Sequence, residues 1–414
     1  MTGDGRRIFT AQAIRAFAYG FTSVLLGVTL AASGWSTTRV GVLFAAILAG
    51  TALMSVVVGT FAERIGRRRL YASLFVLLAI AGVAFAATIN FWVLVVVGLT
   101  GALSTEVVES GPFTSLEQAM LPETVPVDQR TSMFGRYNAV ATVAGSIGAL
   151  AAGGPALLRE HSFGVGADHR FFLVLVPAGL LGAGVARSLS RAVEAAPSVE
   201  CRRVPLKRSR PVVIRLSALF AMDSFGGGFA VQSFLVFFLS RKFGLDTGQL
   251  GVVFFVVGFL QAGSFLAATR LGQRFGLLNT MVFTHLPSNL LLAGIAFAPN
   301  AEVAIGLLLA RFALSQMDVP MRQAYVTAMV DPDERVAASA YTATARYAIR
   351  PAGPVLAGVA QHVALGLPLL IAGTIKSIYD LALWSWLRHV PLPGGEPTGE
   401  VSDDRLLANR PSAK

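Results

Sequence analysis

A chain of 414 residues that is 54% hydrophobic, 14% charged and of mean hydropathy +0.64 carries more apolar side chain than a water-soluble globule can bury. Soluble domains run at about 25% charged, so the composition places this chain in a bilayer. The net charge of +11 does not read as nucleic-acid binding, because the basic residues cluster in short loops between apolar runs.

In chain order the apolar runs fall at roughly 10–32, 39–61, 70–89, 92–115, 131–157, 169–187, 213–239, 247–269, 278–298, 301–327, 335–362 and 366–387. Each is near the ~20 residues a helix needs to cross a membrane, and the runs are too long and continuous for barrel strands. Arg6 and Arg7 ahead of the first run imitate a signal peptide, with Thr29-Leu30-Ala31 as a cleavage site. The length of the run and the odd helix count that its loss would leave argue for a retained span. The Lys/Arg bias between alternate loops puts both termini in the cytoplasm of a multi-pass cell-membrane protein. The connection 188–212, with Arg202, Arg203, Lys207 and Arg208, reads as a cytoplasmic linker; 391–414 reads as a disordered tail. Cys201 is the single cysteine, so an intramolecular disulfide is excluded, and no Cys/His cluster has zinc spacing.

Between the second and third runs stands Gly59-Thr-Phe-Ala-Glu63-Arg64-Ile-Gly66-Arg67-Arg68-Arg69, a short basic turn. Its spacing G-x-x-x-[DE]-R-x-G-[RK]-[RK] resembles the signature loop of major facilitator superfamily transporters, with Glu63 where the family usually has Asp. The resemblance implies an all-α fold of twelve transmembrane helices in two pseudo-symmetric six-helix bundles, here 1–187 and 213–390, with substrate handled between them. It also implies that Gly59, Glu63, Arg64, Gly66, Arg67 and Arg68 form a cytoplasmic gate. In that gate Gly59 allows close helix contact, Glu63 and Arg64 make conformation-dependent ion pairs, and Arg67 and Arg68 stay with anionic headgroups.

The halves repeat. Thr269-Arg-Leu-Gly-Gln273-Arg-Phe-Gly276 aligns with Gly59–Gly66 at an offset of 210, and Glu117-Gln-Ala aligns with Arg322-Gln-Ala at an offset of 205. The glycines of span 5 (Gly145, Gly148, Gly153) and of span 11 (Gly353, Gly358) allow close helix approach.

Charges inside spans cost about 2.5–3.5 kcal/mol each and face protein or a watery cavity. Glu106 and Glu109 lie three apart on one face of span 4 and, with Asp223 in span 7, are the candidate proton-coupling acids; the alternative is neutralisation by neighbouring arginines. Arg15, Tyr19, Arg311, Asp318, Arg346 and Arg350 are candidates for the substrate cavity. Arg15 alternatively snorkels to the surface, and Asp318 pairs with Arg322 four residues on. Arg346, nearer the middle of its span, is the preferred ligand contact. Lys376 and Asp380 share a face, where mutual neutralisation is the simplest account. There is no nucleotide-binding loop, catalytic constellation or cofactor motif. The expectation is a monomeric, non-enzymatic secondary transporter with protons as coupling ion, exporting a small organic or anionic compound. Uptake of a small anion by symport is the runner-up, and a membrane sensor on a transporter scaffold is the alternative of another class.

Overall fold

The computed structural model describes residues 2–104, 111–125, 130–155, 168–194, 208–331 and 334–388, and these are all helix, turn or loop. Helices follow from the solvent: in hydrocarbon every backbone N–H and C=O must be satisfied within its own segment. The α-helices are α1 Gly3–Ala32, α2 Thr37–Ile65, α3 Arg67–Ala87, α4 Phe91–Leu99, α5 Pro112–Met120, α6 Arg130–Ala151, α7 Leu175–Ser188 and α8 Arg210–Gly228. They continue as α9 Gln232–Phe243, α10 Thr247–Phe275, α11 Leu277–Ile295, α12 Ala301–Leu314, α13 Asp318–Met329, α14 Arg335–Ile349, α15 Ala352–Ala360 and α16 Leu367–Leu387. These fit twelve spans. Spans 7, 10 and 11 are interrupted between α8 and α9, α12 and α13, and α14 and α15, and α4 and α5 bracket span 4. Large apolar side chains such as Leu53, Val56, Trp92, Leu181 and Phe297 stand exposed on the outer surface, where lipid covers them.

The duplication read from the sequence is present in the backbone. Helix α2 and helix α10 occupy positions 210 residues apart, and each ends at a glycine of positive φ, Gly66 at 98° and Gly276 at 80°. A side chain with a Cβ is strained in that conformation, so glycine is required at both turns.

The halves meet through α1 against α9, α2 against α15 and α6 against α10. At Gly41 a Cβ would stand 2.2 Å from the Pro354 carbonyl oxygen, so only glycine permits this approach of α2 to α15. The hydroxyl of Thr37 donates to the Gly358 carbonyl at 2.8 Å, Thr38 Oγ1 meets His362 Nε2 at 2.8 Å, and Arg241 donates to the Ala31 carbonyl at 3.3 Å. These contacts join the halves toward the end opposite the Gly66 turn. The glycines expected to tighten spans 5 and 11 do so: Gly148 abuts Phe17, Gly153 abuts Gly248, and Gly353 abuts Gly228.

The first part of the 188–212 connection is built into the fold. Asp4 accepts from the Ser190 backbone N–H at 3.0 Å and from its hydroxyl, and Glu194 accepts from the backbone N–H of Arg67 at 2.7 Å. Glu194 thereby caps the positive N-terminal end of α3. Cys201 and the 391–414 tail lie outside the described residues.

Candidate functional site

At the Gly66 turn, Glu63 and Arg64 are exposed and make no ion pair among the described residues. Gly59 has open space where a Cβ would go, so the close contact expected there is not formed in this conformation. Arg67 and Arg68, expected to stay with anionic headgroups, also bond the protein. The Arg67 guanidinium donates to the carbonyls of Ala119 and Val193 at 3.4 Å each, and Arg68 donates to that of Arg187 at 2.9 Å. Helix C-terminal carbonyls lack intrahelical partners and carry partial negative charge, so a nearby guanidinium is drawn to them.

Arg15 and Tyr19, candidates for the substrate cavity, are buried in the first half and are not on the wall of the second-half cavity. Arg15 is 3% exposed and lies in the core of the first half, where Nη2 and Nε donate to Glu117 at 2.7 and 3.3 Å. Tyr71 donates its hydroxyl to the same carboxylate at 2.7 Å, Tyr137 does so as well, and Tyr19 donates to the Ala102 carbonyl at 2.8 Å. A bidentate partner on α5 offers the guanidinium more than the membrane surface does, which is why it is drawn inward. Glu106 and Glu109 lie outside the described residues.

The second half carries a cavity lined with charged side chains. It measures about 210 Å³ and is walled by α8 to α14 and α16, with cations Arg311, Arg322, Arg346, Arg350 and Lys376 against carboxylates Asp223 and Asp318. Asp223, expected as a lone acid, accepts from Lys376 and, at 3.3 Å, from Arg322. Arg322 also meets Asp318 at 3.2 Å, the i,i+4 pair expected from the sequence. Arg311 stacks over the Phe312 ring, 4.6 Å from its centroid. Arg346 has an Nε with no hydrogen-bond partner among the described residues, while its backbone carbonyl accepts from Ser224 at 2.9 Å. Gln232, on the cavity wall, donates to Ser23 of α1 at 2.8 Å and so ties the cavity to the first half.

The expected Lys376–Asp380 pair is not made. Lys376 faces Asp223 on α8, while Asp380 accepts from Asn289 at 2.8 Å and lies 2.8 Å from His285 Nδ1. Lys376 and Asp380 each have a better partner on another helix than their neighbour one turn away, because a cross-helix bond also satisfies a buried group on the partner helix. His285 and Asn289 went unread in the sequence as site residues. The available signal was their i,i+4 spacing inside an otherwise apolar run.

The Major Facilitator Superfamily model matches residues 8–354. The chain is 25% identical over 416 residues to YJR124C, an uncharacterized membrane protein of Saccharomyces cerevisiae, covering 92% of this chain and 93% of that one. Among solved structures, the D-xylose–proton symporter superposes with a TM-score of 0.72 at 14% identity, covering 94% of this chain and 99% of that chain. The inward-open xylose transporter XylE from E. coli superposes at 0.69 and 14% identity, covering 97% and 99%. A bacterial homologue of the lysosomal transporter Spinster, inward-facing and occupied, superposes at 0.70 and 16% identity, covering 92% and 95%. At these identities the structural likeness is one of fold. With the family model spanning most of the chain and a duplicated helical architecture beneath it, this chain belongs to the Major Facilitator Superfamily of membrane transporters.

Proposed function

We propose that this protein is a proton-coupled secondary transporter of a small organic anion, working by alternating access. The two moving bodies are residues 1–187 and 213–390, joined by the 188–212 linker, and the protein acts as a monomer in the cell membrane with both termini cytoplasmic. The observation that carries the substrate class is the cavity wall, where five cations face two carboxylates. Arg346, whose Nε has no hydrogen-bond partner among the described residues, is a cation held in low dielectric, and an anionic substrate relieves that cost when it binds. The free Nε of Arg346 makes it the leading ligand contact, with Arg350 and Arg311 beside it.

With this orientation the interlocked end is external and the Gly66 turn faces the cytoplasm, so the structure represents a state open inward. Exposed Glu63 and Arg64 fit that state, because their ion pairs are reserved for the opposite one. Proton-driven efflux and symport both remain compatible with an anion in the cavity. They differ in whether proton and anion compete or bind together.

The test is purified protein in proteoliposomes with an imposed pH gradient, screened against small carboxylates and phosphates. Gradient-dependent counterflow of an anion, lost in Arg346→Gln, supports the reading. Transport restricted to neutral or cationic compounds refutes it.

A further inference from the structure

His285 stands on the cavity wall, 5% exposed, between two carboxylates of different helices. Its Nδ1 is 2.8 Å from Asp380 Oδ1, and its Nε2 is 3.9 Å from Asp223 Oδ1. Asn289 fixes which nitrogen holds a permanent proton. Its amide donates to Asp380 Oδ2 at 2.8 Å, which locks that carboxylate as an acceptor with Oδ1 turned to Nδ1. Asn289 Nδ2 also stands 3.1 Å from Nδ1, but Asp380 Oδ1 is the nearer partner and the one acceptor offered to Nδ1 among the described residues, so Nδ1 carries hydrogen and Nε2 is the atom that gains and loses a proton.

The charges around this ring decide what its proton does. From α16 come Asp380, Lys376 and the edge of Tyr379, whose ring centroid is 6.1 Å away. From α8 comes Asp223, and from α13 come Asp318 and Arg322. Arg311 of α12, Arg346 and Arg350 face the same space, and α10 presents uncharged Gln261. Asp223 is the hub, since it already holds Lys376 and Arg322 and lies next in reach of Nε2.

We propose that His285 Nε2 is the proton site of this cavity, and that proton and anion bind to it together, which makes the coupling co-transport. This rests on the anion reading above. When a water-borne proton forms the Nε2–H bond, the imidazolium takes a share of Asp223. Lys376 and Arg322 are then less neutralised and their charge turns to the cavity, where it holds the anion. When the anion leaves, Lys376 returns to Asp223, the Nε2–H bond breaks and the proton passes to water. Each species therefore raises the affinity for the other, as linkage requires. An antiporter needs the opposite sign, with proton and substrate excluding each other.

The proton site is tested without a substrate, by histidine-selective 15N NMR of the full-length protein in nanodiscs. Replacing His161, His169, His362 and His389 leaves His285 as the single ring signal of the five histidines, so the ring is first read with the site's own residues in place. The ring should change charge between about pH 5 and 9, with its midpoint falling in Asp380→Asn. A ring of constant charge across that range overturns the proposal.

The linkage is tested by calorimetric titration with gluconate and benzoate, both ionised throughout the range used. Affinity should rise about tenfold from pH 8 to pH 6, and the rise should vanish in His285→Gln. Affinity that rises with pH instead overturns co-transport in favour of exchange. Absence of binding at every pH, with a titrating ring, sinks the anion cavity and the linkage together while upholding the proton site.

Discussion

Glu117 offers the most quantitative test of how the first half is held together. Its carboxylate is 0% exposed and takes two bonds from Arg15, one from Tyr71 at 2.7 Å and one from Tyr137. Glu117→Gln keeps the volume but turns an amide donor toward donors, and it leaves the Arg15 guanidinium buried without its counter-charge. Breaking one partner of such a pair costs about 3–5 kcal/mol. Arg15→Met should cost a similar amount, because the carboxylate is then held by two phenols alone. The double variant Arg15→Met/Glu117→Gln removes both charges while the amide oxygen still accepts from a tyrosine. It should fall short of the summed single losses by about 2 kcal/mol or more. The assay is unfolding by SDS titration in mixed micelles for all four members of the cycle. Single variants within about 0.5 kcal/mol of the parent, or an additive double, would refute the reasoning.

Three further outcomes are expected. Gly66→Ala, at φ 98°, should destabilise the turn by about 1–2 kcal/mol and speed local hydrogen exchange at the start of α3, whereas Gly184→Ala, in a helix with open space around it, should not. Glu63→Ala should insert into the membrane normally yet transport poorly, measured as initial rate per correctly inserted molecule; full turnover would remove Glu63 from the gate. Joining Thr38→Cys to His362→Cys with a short bifunctional reagent, in a background lacking Cys201, should stop turnover because the helices carrying them must part. Undiminished exchange in the cross-linked protein would show that this end does not open.

Much of the architecture was legible because a bilayer imposes simple demands on sequence. Apolar runs of spanning length became helices, and the offset of 210 that aligned Gly66 with Gly276 reappears as two glycine turns of positive φ. The Asp318–Arg322 pair was legible too, since one turn of a helix brings i and i+4 together. The same rule misled at Lys376 and Asp380. Spacing tells which face of a helix two residues share; it does not tell which helices that face meets. Lys376 meets α8 and Asp380 meets α11, so the pairing is set by tertiary packing. Arg15 failed for a related reason, its partner being 102 residues away. Of the helix breaks that shape the cavity, the one at 229–231 follows the Gly226–Gly228 run and the one at 350–351 carries Pro351, whereas 315–317 has neither glycine nor proline, so a reading by hydropathy alone runs through it.

The repeat explains why the cavity belongs to one half. In the first half the span 1–span 4 joint is Arg15 with Glu117; in the second, the span 7–span 10 joint is Asp223 with Arg322. Glu117 and Arg322 are the aligned pair at offset 205, so the duplicated joint has kept its place and reversed its sign. Reversal changes what surrounds it. A carboxylate at the Glu117 position is saturated by one guanidinium and two phenols, and the cluster closes on itself. A guanidinium at the Arg322 position must share Asp223 with Lys376, and it stands in a wall that also holds Arg311, Arg346 and Arg350. Among the described residues that wall gathers five cations with two carboxylates, facing the other half across Gln232 and Ser23. Converting the first joint to the second by Glu117→Arg with Arg15→Asp should therefore preserve the pair but not create a second anion site, because the groups that surround the first joint are the phenols of Tyr71 and Tyr137 and not a cationic wall. Calorimetric titration with gluconate should find the same stoichiometry in this variant as in the parent. Doubled stoichiometry would show that the joint alone, without the cationic wall, suffices to bind an anion.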